Sequence, residues 1–302
     1  MKDTKLITVL VLFAMSSIFI AYFRPASTQK GIPSDYFWVS KIDAGKEFDI
    51  VIFGDSRVYR GVSPKHMESI LQDKKILYFG FSNVGLTSDY LKDGIRKLKT
   101  DAENRLIVIG ITSHSMTPNA FKHNNYTVLK ETKIKFSQMA VWLNWLLGYF
   151  RPLAQTEIME MFGALPPSKA AEEYHWGGWV SLRTPAGKSD FSSKYYVQDF
   201  ANNKVTDENI RETLNAVREI VSGGVAVYGF RPPVSRELQE FEQQYSGLQY
   251  TDLVRQFEEA GGIWIPIEPD KFSTYDHSHL SEESAIQLSQ LLAEQIRISS
   301  WQ

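Results

Sequence analysis

Hydrophobic positions along the chain fall into short continuous runs, each followed by a longer stretch with helical spacing. DIVIFG (49–54) is apolar at successive positions and closes on a glycine, the pattern of a strand buried on both faces. KILYFGF (75–81), RLIVIGI (105–111), GVAVYGF (224–230) and GIWIPI (262–267) repeat that pattern, so five strands are predicted. Between them lie predicted helices. Ser63-Pro64 starts one as N-cap and first helical residue, leading through Met67, Ile70 and Leu71. Residues 88–99 place Leu91, Ile95 and Leu98 on one face, 206–221 open with Thr206-Asp207, and 236–260 read as a single helical stretch. The last helix, 281–296, is capped by Ser281 and carries Ala285, Leu288, Leu292 and Ile296 as its apolar stripe. Strands apolar on both faces and alternating with helices predict an α/β fold, a three-layer doubly wound parallel five-stranded sheet covered on both sides. Ligands of such sheets bind outside the carboxyl ends of the strands, so the residues just past each strand are the ones to inspect.

Two segments break this rhythm. Residues 6–23, LITVLVLFAMSSIFIAYF, hold no charge, and Lys2 and Lys5 precede them. As a helix the run is about 27 Å long, close to the ~30 Å hydrocarbon core of a bilayer. It is longer than an ordinary signal-peptide core, and no small-x-small cleavage site follows it, so an uncleaved signal anchor is expected. A cleaved signal peptide and a buried core helix are the alternatives. The expected division is a transmembrane anchor at 1–23, a linker at 24–47 and one domain at 48–302, with the bulk of the chain outside the cytoplasm. The second break is the stretch of over 100 residues between the third and fourth strands. It contains the apolar, aromatic FSQMAVWLNWLLGYF (136–150) and a Gly- and aromatic-rich part (173–200) expected to be partly β. It reads as a large cap insertion at about 115–205 over the carboxyl edge of the sheet.

Composition narrows the function. Lys plus Arg is 33 and Asp plus Glu is 35 in 302 residues, a net charge of −2 that argues against nucleic acid as partner. There is no cysteine, which excludes disulfides, thiolate metal sites and thiol nucleophiles. No Walker loop, dinucleotide-binding glycine fingerprint, HExxH or EF-hand occurs, so neither cofactor nor metal is expected.

Covalent catalysis without a thiol turns attention to serine. Strand one ends in Gly54-Asp55-Ser56-Arg57. Near the other end, Tyr275-Asp276-His277-Ser278-His279 follows strand five and precedes the last helix. An Asp three residues before a His in a tight loop can hold the imidazole Nδ1–H and leave Nε2 free to take a hydroxyl proton. Taken alone, each block has a plain reading as a turn or an exposed loop. Taken together, DIVIFGDSR (49–57) and DHSHLSEESA (276–285), at opposite ends of a βα-alternating domain, resemble the SGNH (GDSL-like) hydrolase superfamily. The resemblance implies Ser56 as nucleophile, His279 as general base and Asp276 as its orienting partner, with His277 a rival base.

The middle blocks depart from the family pattern. That pattern uses a Gly N–H after the second strand and an Asn side chain after the third as oxyanion donors. Here the second edge offers Asn83 or Gly85, and Thr112 stands where the Asn is expected. The implied oxyanion hole is Ser56 N–H with Asn83, Gly85 or Thr112, and loss of one donor typically lowers rates by ~10²–10³. Arg57, Arg60, His114 and Arg231, also at strand edges, are candidate substrate contacts, with ordinary ion pairing as the alternative. The expectation is a serine esterase or O-acyltransferase acting on an acylated cell-envelope glycan or related ester, membrane-anchored and associated with envelope polysaccharide machinery. The weakened third block keeps open a non-catalytic SGNH-like scaffold or glycan-binding component.

Overall fold

The computed structural model describes residues 34–100, 105–131, 171–183 and 199–299, the short strand 29–31, and isolated positions within 5–16 and at 159 and 162. The expected strands appear as β2 (Ile50–Phe53), β3 (Ile76–Tyr78), β4 (Leu106–Gly110), β7 (Ala226–Phe230) and β8 (Ile263–Trp264), numbered after β1 (Gln29–Gly31) and with β5 and β6 in the insertion. They form one all-parallel sheet in the order β3-β2-β4-β7-β8. Side chains alternate across it. Val51 and Phe53 enter one core with Ile107, Ile109 and the helix Asp207–Ser222. Ile50 and Ile52 enter the other with Val108 and the closing helix Glu282–Ser299 through Leu288 and Leu292. The doubly wound three-layer α/β architecture is therefore present, and two-faced burial accounts for the continuous apolar strands.

Several boundaries move for local reasons. The strand expected at 75–81 stops at Tyr78, where its pairing with β2 ends; Phe79 N–H makes a last bond to Ile52 O at 2.7 Å. The stretch 236–260 is two helices, Arg236–Tyr245 and Tyr250–Glu259, parted at Gly247, whose φ of +81° lies in the region that favours glycine. The expected linker 24–47 contains the helix Ser34–Asp43, and this corrects the linker over those residues. Phe37 is buried in the second core, and Lys41 is only 1% exposed. The burial comes from aromatic neighbours distant in sequence, which no local pattern displays.

Within the insertion, β5 (Ala171–Tyr174) and β6 (Val180–Arg183) form an antiparallel hairpin, with β1 added in parallel to β5. The hairpin turn leans on the edge of the main sheet, where Tyr78 N–H donates to Gly177 O at 2.8 Å. The apolar stretch 136–150 lies outside the described residues. Of the run 6–23, the described positions Ile7–Val9, Val11–Phe13, Met15 and Ser16 are helical and exposed. Among the described residues no helix is long and apolar enough to cross a membrane.

Candidate active site

The first strand ends in a bend that only glycine fits. Gly54 has φ +153°, and a β-carbon there would fall 2.4 Å from Val58 Cγ2. Asp55 then caps the helix Ser56–Gly61, accepting Arg57 N–H at 3.0 Å. Ser56 is the first residue of that helix, so its N–H has no intrahelical acceptor. Its side chain is half-buried at the carboxyl edge of β2.

The loop before the closing helix is folded around one carboxylate. Asp276 Oδ1 accepts the N–H groups of Ser278 at 3.0 Å and His279 at 2.7 Å. Its Oδ2 lies 2.7 Å from His279 Nδ1. His279 Nε2 in turn lies 3.0 Å from Ser56 Oγ. Burial works to raise the Asp276 pKa, but the His279 hydrogen bond and charge and the two backbone N–H groups outweigh it and hold the carboxyl below its usual range. An ionised carboxylate only accepts, so Nδ1 carries the imidazole proton and Nε2 presents its lone pair to the serine. The Tyr275 ring stacks on His279 at 5.8 Å between centroids and 15° between planes. The rival His277, at φ +68°, turns away: its Nδ1 is 3.1 Å from Ser235 Oγ, on the cap of the helix Arg236–Tyr245.

Of the expected oxyanion donors, the Asn83 and Thr112 side chains are engaged elsewhere, while the Gly85 N–H has no acceptor among the described residues. Asn83 bonds the carbonyl of His123 at 3.2 Å and the His114 ring at 3.1 Å. Gly85 packs on the 120–121 backbone, where a β-carbon would meet Ala120 C at 2.7 Å, and its carbonyl accepts from Asn124 at 3.0 Å. Thr112 is buried, and its hydroxyl donates to the Asp55 carboxylate. The side chain that reaches the end of the nucleophile's strand is Tyr78, with Gly80 packed against its hydroxyl. Tyr78 Oη donates to Gly54 O at 2.7 Å and to Asp55 O at 3.0 Å, and a β-carbon on Gly80 would fall 1.8 Å from that oxygen. The Gly80 N–H has no acceptor among the described residues.

The expected substrate arginines are tied to internal carboxylates. Arg57 is buried, with Nη2 2.6 Å from Glu242 Oε1 and Nε donating to Ser278 Oγ at 2.9 Å. Arg231 lies 3.3 Å from the other oxygen of Glu242 and over the Tyr250 ring. Arg60 bonds Tyr275 Oη at 2.7 Å and pairs with Glu172 of the hairpin at 2.5 Å. Arg57 and Arg60 support the 275–279 loop and the hairpin, and Arg231 pairs with Glu242, so all three follow the ion-pairing alternative. Glu242, fully buried between two arginines, is the member that sequence reasoning missed. Burial would raise its pKa, yet Arg57 and then Arg231 hold it below the usual value. Among the described residues no group of acidic or histidine side chains could hold a metal.

No protein-family model matches the chain, and no curated protein sequence matches it. Two solved structures resemble it at low similarity. One, from Streptococcus pneumonia and described as a candidate platelet activating factor, is 11% identical with a TM-score of 0.40 over 87% of this chain and 90% of its own. The other, the inhibitor-bound aryl esterase of M. Smegmatis, is 13% identical with a TM-score of 0.35 over 82% and 97%. At these scores the likeness carries no argument, and the chemistry rests on the geometry above.

Proposed function

We propose that the chain is a serine esterase or O-acyltransferase using Ser56, His279 and Asp276. The observation that carries this reading is the unbroken relay of 3.0 Å from Ser56 Oγ to His279 Nε2 and 2.7 Å from His279 Nδ1 to Asp276. Ser56 Oγ attacks an ester carbonyl while His279 Nε2 takes the hydroxyl proton. The oxyanion so formed is held by the N–H groups of Ser56 and Gly80. Collapse expels the alcohol, which receives the proton from His279 and leaves an acyl group on Ser56. Water or a sugar hydroxyl then attacks this acyl-enzyme, giving up its proton to His279; as the bond to Ser56 Oγ breaks, His279 returns that proton to Oγ and the acid or the transferred ester leaves.

The acyl carrier is read as an acylated cell-envelope glycan or a related ester. The apolar run 6–23 is proposed as a membrane anchor that places the domain outside the cytoplasm beside envelope polysaccharide machinery. With Thr112 bonded to Asp55, the hole has two backbone donors and no side-chain donor, which supports a slow enzyme. A fluorophosphonate probe should label the wild type covalently, and Ser56→Ala should abolish labelling while leaving the far-UV circular dichroism unchanged. Equal labelling of the two proteins would refute the assignment, as would no labelling of either.

A further inference from the structure

Lys41 stands apart from every other charged side chain described. It is 1% exposed, and no carboxylate among the described residues pairs with it. Its Nζ sits among five rings, at 3.9 Å from the centroid of Phe37, 4.6 Å from Trp38, 4.9 Å from Tyr78, 5.6 Å from Phe81 and 6.0 Å from Tyr59. Burial without a carboxylate holds its pKa well below the usual lysine value. A methionine would fill this box with similar volume and no ammonium to desolvate, at the cost of leaving one buried carbonyl without its donor. The one hydrogen bond that Lys41 makes is to Gly80 O, at 2.8 Å, and an amine donates that bond whether charged or neutral.

The peptide on the other side of Gly80 is held in the same way. Tyr90, fully buried, donates its hydroxyl to Phe79 O. A peptide unit is a rigid plane. The plane holding Phe79 O also holds Gly80 N–H, pointing the opposite way. The plane holding Gly80 O begins at the same Cα. Two buried donors, one on each carbonyl, therefore fix both φ and ψ of a glycine, which without them is the least constrained of residues. The two buried carbonyls need donors in any case; what the fold leaves unused is the Gly80 N–H, which has no acceptor among the described residues.

We propose that Lys41 and Tyr90 are positioning residues that hold the Gly80 N–H in line with the oxyanion formed at Ser56. The inference rests on the serine-acylation reading. It makes the helix that follows the N-terminal apolar run a working part of the site, although none of its residues touches substrate. Misplacement of a donor by about an ångström costs on the order of 10²-fold in rate without weakening ground-state binding.

The test compares purified full-length wild type, Lys41→Met, Tyr90→Phe and Ser56→Ala in their reaction with a fluorophosphonate, resolving kinact from KI, alongside thermal unfolding. For Lys41→Met, kinact should fall about 10- to 100-fold with KI within about twofold, while Tm shifts by only a few degrees, the volume being kept and one carbonyl losing its donor. Tyr90→Phe, which removes a single hydroxyl, should lower kinact about tenfold at constant KI. Stability largely kept and reactivity lost is a combination that a purely structural lysine does not produce. Rates within threefold of wild type for folded Lys41→Met and Tyr90→Phe would overturn the proposal. So would failure of Lys41→Met to fold, because the lysine would then be required by the core itself. If Ser56→Ala abolishes labelling while the other two variants react normally, only this inference falls. If wild type is unlabelled, the catalytic reading falls and takes the inference with it.

Discussion

Glu242→Gln removes one charge from the middle of a buried group of three. In the wild type the carboxylate is 0% exposed, with one oxygen 2.6 Å from Arg57 and the other 3.3 Å from Arg231 and from Ser113 Oγ. Unit charges about 4 Å apart interact by about 4 kcal/mol at an effective dielectric constant near 20. The Arg57 side chain is 8% exposed and keeps most of that interaction, whereas Arg231 at 21% is better screened by water. The amide left in place cannot compensate two guanidinium groups. Breaking such a pair by removing one partner typically costs about 3–5 kcal/mol. For a domain of this size that lowers Tm by roughly 10 °C. The assay is urea or thermal unfolding at pH 7. Replacing Arg57, Arg231 and Glu242 together by methionine should recover most of the loss, because the destabilisation comes from stranded charge rather than missing volume. A loss below about 1 kcal/mol for Glu242→Gln would refute the view that this carboxylate neutralises Arg57, which braces the catalytic loop, and Arg231.

Two further outcomes follow from the same geometry. Asp276→Asn keeps the volume but can present an N–H to His279 Nδ1, favouring the tautomer with the proton on Nε2. Fluorophosphonate labelling should then slow by about 10³–10⁴ with the fold intact, and a loss of under tenfold would show that Asp276 does not set the tautomer. Acid should destabilise the protein through Glu242. Its folded pKa lies below its unfolded value of about 4.3, so its stabilisation is full above that value and is lost as pH falls through the folded pKa. Tm measured from pH 7 to pH 3 should fall less steeply in Glu242→Gln, and parallel profiles would overturn the assignment.

What the sequence displays and what it hides divide along the reach of each interaction. The five strands were legible because two-faced burial leaves unbroken apolar runs such as IVIF and LIVIG. Ser56, Asp276 and His279 were legible because each sits directly past a strand or before a helix, where sheet topology converges side chains. The end of the strand before Gly80 was less legible, because the apolar run continues to Phe81 past the last paired residue, Tyr78. Lys41 and Glu242 left no local mark. One stands in the segment SDYFWVSKID, the other in an acid-rich helix, and their partners lie 39 and 185 residues away. For Arg57 and Arg60 substrate contact and ion pairing stayed open in the sequence, because the carboxylates that occupy them come from remote elements.

The relay from Ser56 to His279 joins residues 223 positions apart. During synthesis at ~5–20 residues per second, the serine therefore emerges roughly 10–45 s before the base that would activate it. Over that interval the nascent chain displays a Gly-Asp-Ser turn with an ordinary, unreactive hydroxyl. The closing helix packs its Leu288 and Leu292 in the same core as Val58 and Val62, beside the nucleophile. Until that helix and the loop before it have been made, the proposed relay lacks its base and the core beside Ser56 lacks its last layer, so an incompletely made chain carries no relay.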